Sequence, residues 1–170
     1  LMNYVRISLF VAVTLALLGS LTPVQASQGL SLDPPAACGA LREFRLDAGT
    51  YRPAGGGRYE CTSRRLRLPF GEPLQNEIRY SAQGSRERVE RVELHLDMFG
   101  RRGVQPTLGR LLEYTEVLFQ SLPGGAVSDE ISDALLAGGY GEWDHASARV
   151  RLLRNTATGN RGFRYSLILE

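Results

Sequence analysis

The sequence predicts an α+β fold: a two-layer sandwich with helices on one face of an antiparallel sheet of about five strands, in the order α-βββ-αα-ββ. Three observations predict it. Apolar and polar residues alternate through four segments, at 77–83, 91–98, 148–152 and 163–169. Between about Gln105 and Leu122 the apolar residues recur instead at helical spacing. The alternating segments come in runs joined by short polar links, as hairpins require.

The first segment, residues 1–26, reads as a cleavable signal peptide. Arg6 supplies the positive charge, Ile7 to Leu18 form a 12-residue apolar core, and Val24-Gln25-Ala26 places small residues where a signal peptidase reads. The apolar run is short of the roughly 20 residues that cross a bilayer, so cleavage is expected and no stable membrane anchor after it. Residues 27–170 are then expected to form a single α+β domain, periplasmic or secreted.

Asp33-Pro34-Pro35 offers an N-cap followed by proline at the first helical position. Ala37, Cys38, Leu41 and Phe44 make one stripe, which predicts a short helix to about Leu46. Gly55-Gly56-Gly57 marks a turn, and Arg58 to Ser63 a strand carrying Cys61. Residues 64–73 read as loop. Ile78, Tyr80 and Ala82 face one way from the next strand, and Glu77, Arg79, Ser81 and Gln83 the other. After Gly84-Ser85, Val92, Leu94, Leu96 and Met98 alternate with Arg91, Glu93, His95 and Asp97, completing a hairpin.

The long helix follows, with Leu108, Leu111, Leu112, Leu118, Phe119 and Leu122 on one side. Ser128 is a good N-cap for a second helix to about Ala137, with Asp129 and Glu130 in its first turn. Gly139 to His145 reads as a loop. Ala148, Val150 and Leu152 alternate with Arg149 and Arg151. Asn155 to Gly162 reads as polar loop, and Phe163, Tyr165, Leu167 and Leu169 alternate with Arg164 and Ser166.

Composition closes several chemistries. The chain carries 20 basic and 18 acidic side chains; without Arg6 the balance is 19 against 18, a net of +1. That is not the footprint of a nucleic-acid binder. Every basic side chain is arginine, so a P-loop lysine, a Schiff-base lysine and a Ser-x-x-Lys nucleophile are excluded. No phosphate-binding glycine motif is present, and no cofactor is expected. The two cysteines, Cys38 and Cys61, read as one disulfide in an exported protein. A catalytic thiolate is the rival reading and would need a nearby His and a reducing compartment.

Strand register places Arg79, Arg91, Glu93, His95, Asp97, Arg149, Arg151 and Arg164 on the polar side of the sheet. The plain reading is a solvated face with cross-strand ion pairs. The functional reading is a recognition surface, since arginine is enriched at interfaces and captures carboxylate or phosphate with two N–H groups at once. Glu93, His95 and Asp97 share one strand face, but a metal needs a third convergent ligand. Gly139 to His145 holds the only Trp, two acids and His145; it could line a pocket, though such a tryptophan more often plugs a small core.

Ala37-Cys38-Gly39-Ala40-Leu41, Tyr59-Glu60-Cys61, Asn76-Glu77-Ile78-Arg79-Tyr80-Ser81 and the Gly139 to Trp143 stretch together resemble a family of small exported proteobacterial proteins of unknown function. The resemblance implies export and a disulfide, and no activity. The expected function is a non-enzymatic binding module whose polar face meets another envelope or secreted protein. The alternative is a small cell-envelope hydrolase using His95 or His145 with nearby carboxylates.

Overall fold

A computed structural model describes residues 29–71, 74–100, 102–122, 125–145, 147–156 and 162–170. The expected signal peptide and most of the polar loop before Phe163 lie outside the described residues. Helix α1 (Pro34–Gly39) starts as its sequence requires: the Asp33 carboxylate accepts from the Ala36 N–H, and Pro34 fills the first turn. It is shorter than the expected helix to Leu46. After Gly39 the chain leaves the α-helix, with Leu41 at φ −111° and ψ 23°, and passes into a 3-10 turn at Arg42–Phe44 that the left-handed Arg45 (φ 65°) closes.

The strands are β1 (Arg52–Gly55), β2 (Arg58–Thr62), β3 (Leu66–Arg67), β4 (Glu77–Gly84), β5 (Val89–Met98), β6 (Gly141–His145), β7 (Ala148–Thr156) and β8 (Phe163–Leu169). Helices α2 (Val104–Gln120) and α3 (Asp129–Leu136) fall between β5 and β6. All pairings are antiparallel, in the order β1-β2-β4-β5-β8-β7-β6, with β3 pairing the start of β4. The class is α+β, as expected, but the sheet has eight strands rather than about five.

The three unforeseen strands are peripheral. β1 is exposed at all four residues and carries Pro53, so nothing in it alternates. β3 is a two-residue bridge inside the expected loop. β6 occupies the segment expected to be a loop: its turn-like glycines hide an alternation of Trp143 with Glu142 and Asp144. β7 also runs further than expected, to Thr156.

Two meanders make the sheet, β1-β2-β4-β5 and β6-β7-β8, and pairing of β5 with β8 joins them at the centre. Val92, Leu94 and Leu96 on β5 meet Leu169, Leu167 and Tyr165 on β8. With Ile78, Tyr80, Val150 and Leu152 they form the buried side of the sheet, packed under Leu108, Leu111, Phe119, Ile131 and Leu135 of the helices. The helices therefore cover one face, and the other is open.

Three polar ties fix this layer. Cys38 and Cys61 form a disulfide, linking α1 to β2, with Cα atoms 6.0 Å apart. The buried Tyr80 hydroxyl donates to the Ala37 carbonyl at 2.7 Å. Asn76, fully buried, donates to Thr107 Oγ1 of α2 at 2.9 Å and accepts from the Phe99 N–H at 3.0 Å. A buried amide satisfied on both sides fixes where α2 leaves the sheet. Gly103 makes that exit with φ 73°; a Cβ there would come within 2.9 Å of the Gly71 nitrogen.

Candidate functional site: the open sheet face

Register assigns Arg79, Glu93, His95, Asp97, Arg149, Arg151 and Arg164 to the open face, in rows running across the strands, Arg149 standing in the outermost with Gln83, Arg91, Glu170 and Asp144. The middle row is Arg79 (β4), His95 (β5), Ser166 (β8) and Leu153 (β7). One flanking row is Ser81, Glu93, Ile168, Arg151 and Glu142; the other is Glu77, Asp97, Arg164 and Asn155. Although no helix covers this face, Ser81, Glu93, Asp97, Ser166 and Ile168 are buried. On so wide a sheet the long arginine side chains lie over their shorter neighbours and exclude water from them.

The charges of the flanking rows are neutralised within those rows and by the residues next to them. Arg164 clamps Asp97 with two hydrogen bonds, 2.6 and 3.0 Å. Arg151 bonds Glu170 at 2.8 Å, and Arg91 bridges Glu170 and Glu93. Arg149 lies 3.4 and 3.6 Å from Glu142 and Asp144. Glu77 is shared by Arg65 and Arg67. Arg79 differs: half-buried in the middle row, it has no hydrogen bond or ion pair among the described residues. It borders a recess of about 10 Å³ between the Arg65–Glu77 and Arg164–Asp97 pairs, room for one water-sized atom.

His95 joins two rows. Its Nε2 lies 2.7 Å from Glu93 Oε2 and its Nδ1 3.0 Å from Ser166 Oγ. The His95 hydrogen bond, followed by the Arg91 guanidinium, holds the Glu93 carboxyl down at about 2 against the opposing effect of burial. Ser166, His95 and Glu93 thus form the connected line of a serine-hydrolase relay, with the two ring nitrogens in exchanged roles. Acyl transfer also needs N–H donors for the oxyanion. β5 and β8 are central strands, and N–H groups in such strands lie in the sheet plane and serve the ladders.

His145 is on the other side. It pairs with Ala148 on the helix-covered face and packs its ring 4.9 Å from that of Phe119, away from Glu142 and Asp144. Trp143 likewise packs against the core beside Gly141, as a plug rather than a pocket wall. Among the described residues no group of His, Cys, Asp and Glu could hold a metal ion. No described helix is long and apolar enough to cross a membrane.

Sequence reasoning placed the seven residues on one face but missed Ser166, Leu153 and Glu170. Ser166 was visible as an alternating polar position. Its contact with His95 depends on the β5–β8 pairing, between strands 71 residues apart in the chain.

Comparison with family models, curated proteins and solved structures returns no match. The chemistry of the face therefore carries the functional reading.

Proposed function

We propose that this is a non-enzymatic periplasmic or secreted binding module that meets another envelope or secreted protein through its open sheet face. The observation that carries the reading is Arg79, a half-buried arginine left unpaired on a face whose neighbouring arginines are all paired. Leaving one cation uncompensated costs solvation without an internal return, and a partner's anion supplies that return. The breadth of the face supports a protein partner. The resemblance to small exported proteobacterial proteins is part of this reading.

The test is affinity capture with residues 27–170 and, in parallel, the Arg79→Ala/Arg151→Ala double variant. One stoichiometric protein retained by the first and lost by the second is the expected result. Retention of the same protein by both sinks the sheet-face reading.

The Ser166–His95–Glu93 line favours a second reading, a small envelope hydrolase. A fluorophosphonate probe separates the two. Labelling of the wild type that disappears in Ser166→Ala makes the chain a hydrolase; no labelling favours the binding module.

A further inference from the structure

We infer that the middle row is a two-point docking site for an acidic segment of a partner protein: Arg79 takes a carboxylate, and Leu153 takes an apolar side chain about 14 Å away. The distance is three strand spacings, because Arg79, His95, Ser166 and Leu153 are successive register partners on β4, β5, β8 and β7. The inference rests on the binding reading above and deepens it by naming the partner's chemistry.

Two features of the row separate it from the rest of the face. Its cation is unspent: three guanidiniums, Arg65, Arg79 and Arg164, surround the recess against two carboxylates, Glu77 and Asp97, and those two are already paired to Arg65 and Arg164. A carboxylate offered to Arg79 competes with no internal partner. On β5, β7 and β8, a partner's carboxylate would have to displace Glu170 from Arg151 or Asp97 from Arg164. The other arginine without a partner on this face among the described residues, Arg52, stands exposed on the edge strand β1. The far end of the row is apolar and accessible. Leu153 is 37 % exposed, while Ile168 beside it is 4 % exposed.

The size of the recess selects the anion. It admits one oxygen-sized atom, so an anion reaches Arg79 there through a single oxygen, and a carboxylate leaves only one other oxygen outside. A phosphate would leave most of its oxygens unserved. Between the two anchors His95 is bonded both to Ser166 and to Glu93, so that stretch of the row is already ordered. An arginine anchor paired with an exposed leucine suits an interface better than a small-molecule pocket.

The test uses protein labelled at arginine Nε and leucine methyls, followed by NMR. The probe is the peptide acetyl-Glu-Gly-Gly-Gly-Leu-amide, whose two side chains sit about 14 Å apart when extended. Saturable shifts at Arg79 and Leu153 in the low millimolar range are expected, with a peptide carrying Gln for Glu at least about tenfold weaker. Arg79→Ala should lose binding by a similar factor and Arg151→Ala should keep it within about twofold. Leu153→Ala, an exposed change that spares the fold, should reduce peptide binding and leave acetate binding as it was.

Four results would overturn the inference: no saturable shift up to about 10 mM; shifts spread equally over Arg149 and Arg151; equal binding of the Gln peptide; or inorganic phosphate outcompeting the peptide at Arg79. If the peptide fails while the captured protein of the preceding test is retained, the face binds by another row. If both fail, the binding reading falls with it.

Discussion

The middle row of the open face and the two rows beside it cross the same central strands, yet their arginines are spent differently. In the flanking rows Arg164 meets Asp97 and Arg151 meets Glu170, so their charges stabilise the fold. In the middle row Arg79 meets no carboxylate among the described residues. A count of arginines treats all of them as available for recognition. Pairing leaves one in these three rows.

Four measurements can break or sharpen that contrast. The largest effect belongs to neither set of rows but to the face beneath them. Leu94→Ala, at a fully buried position on the central strand, should cost about 2–5 kcal/mol in urea unfolding, against less than about 0.5 kcal/mol for Arg79→Ala. A small loss at Leu94 would mean that the helix-covered side is not the core.

Arg164→Ala should come next, at about 2 kcal/mol. It strips a two-bond clamp from Asp97, which is 7 % exposed, and leaves that carboxylate without its partner. If Arg164→Ala proves as harmless as Arg79→Ala, the flanking pairs contribute nothing and the contrast between rows disappears.

Glu93 gives the contrast a pH signature. Its folded pKa of about 2 is below its ordinary 4.5, so the ionised form stabilises the fold above pH 4.5. That contribution is lost as the pH falls from 4.5 through about 2. Glu93→Gln should therefore be about 2 kcal/mol less stable than wild type at pH 7, and the gap should close toward pH 2. A gap that does not narrow would assign the loss to packing rather than to the charge.

The smallest effect is the most telling. Arg79→Ala should change stability by less than about 0.5 kcal/mol, because nothing in the fold uses its charge. A loss of 2 kcal/mol or more, on the order expected for Arg164→Ala, would mean that Arg79 has an internal role and is not held for a partner.

Most of the central architecture was legible because its signals are local. Alternation in β4, β5, β7 and β8 sorts each residue onto a face wherever one side of a strand is buried. The Asp33 and Ser128 caps mark helix starts through bonds that reach only three residues, Asp33 to Ala36 and Ser128 to Ile131. Two cysteines leave one pairing, and the structure forms it. Strands β1, β3 and β6 escaped because peripheral strands carry no burial pattern: β1 is exposed throughout, and β6 hides its alternation among glycines.

Residue chemistry and two-residue periodicity were enough to set the fold class, the caps, the disulfide and the side of the sheet on which each arginine stands, since these depend on neighbours close in the chain. Which arginine is paired, and which serine meets His95, depended on strand order. Arg164 reaches Asp97 across 67 residues and Ser166 reaches His95 across 71, contacts that exist only once β8 docks on β5. Short-range patterns state what a strand wants on each side. Only long-range pairing states which strand lies beside it, and so which charge is left without an internal partner.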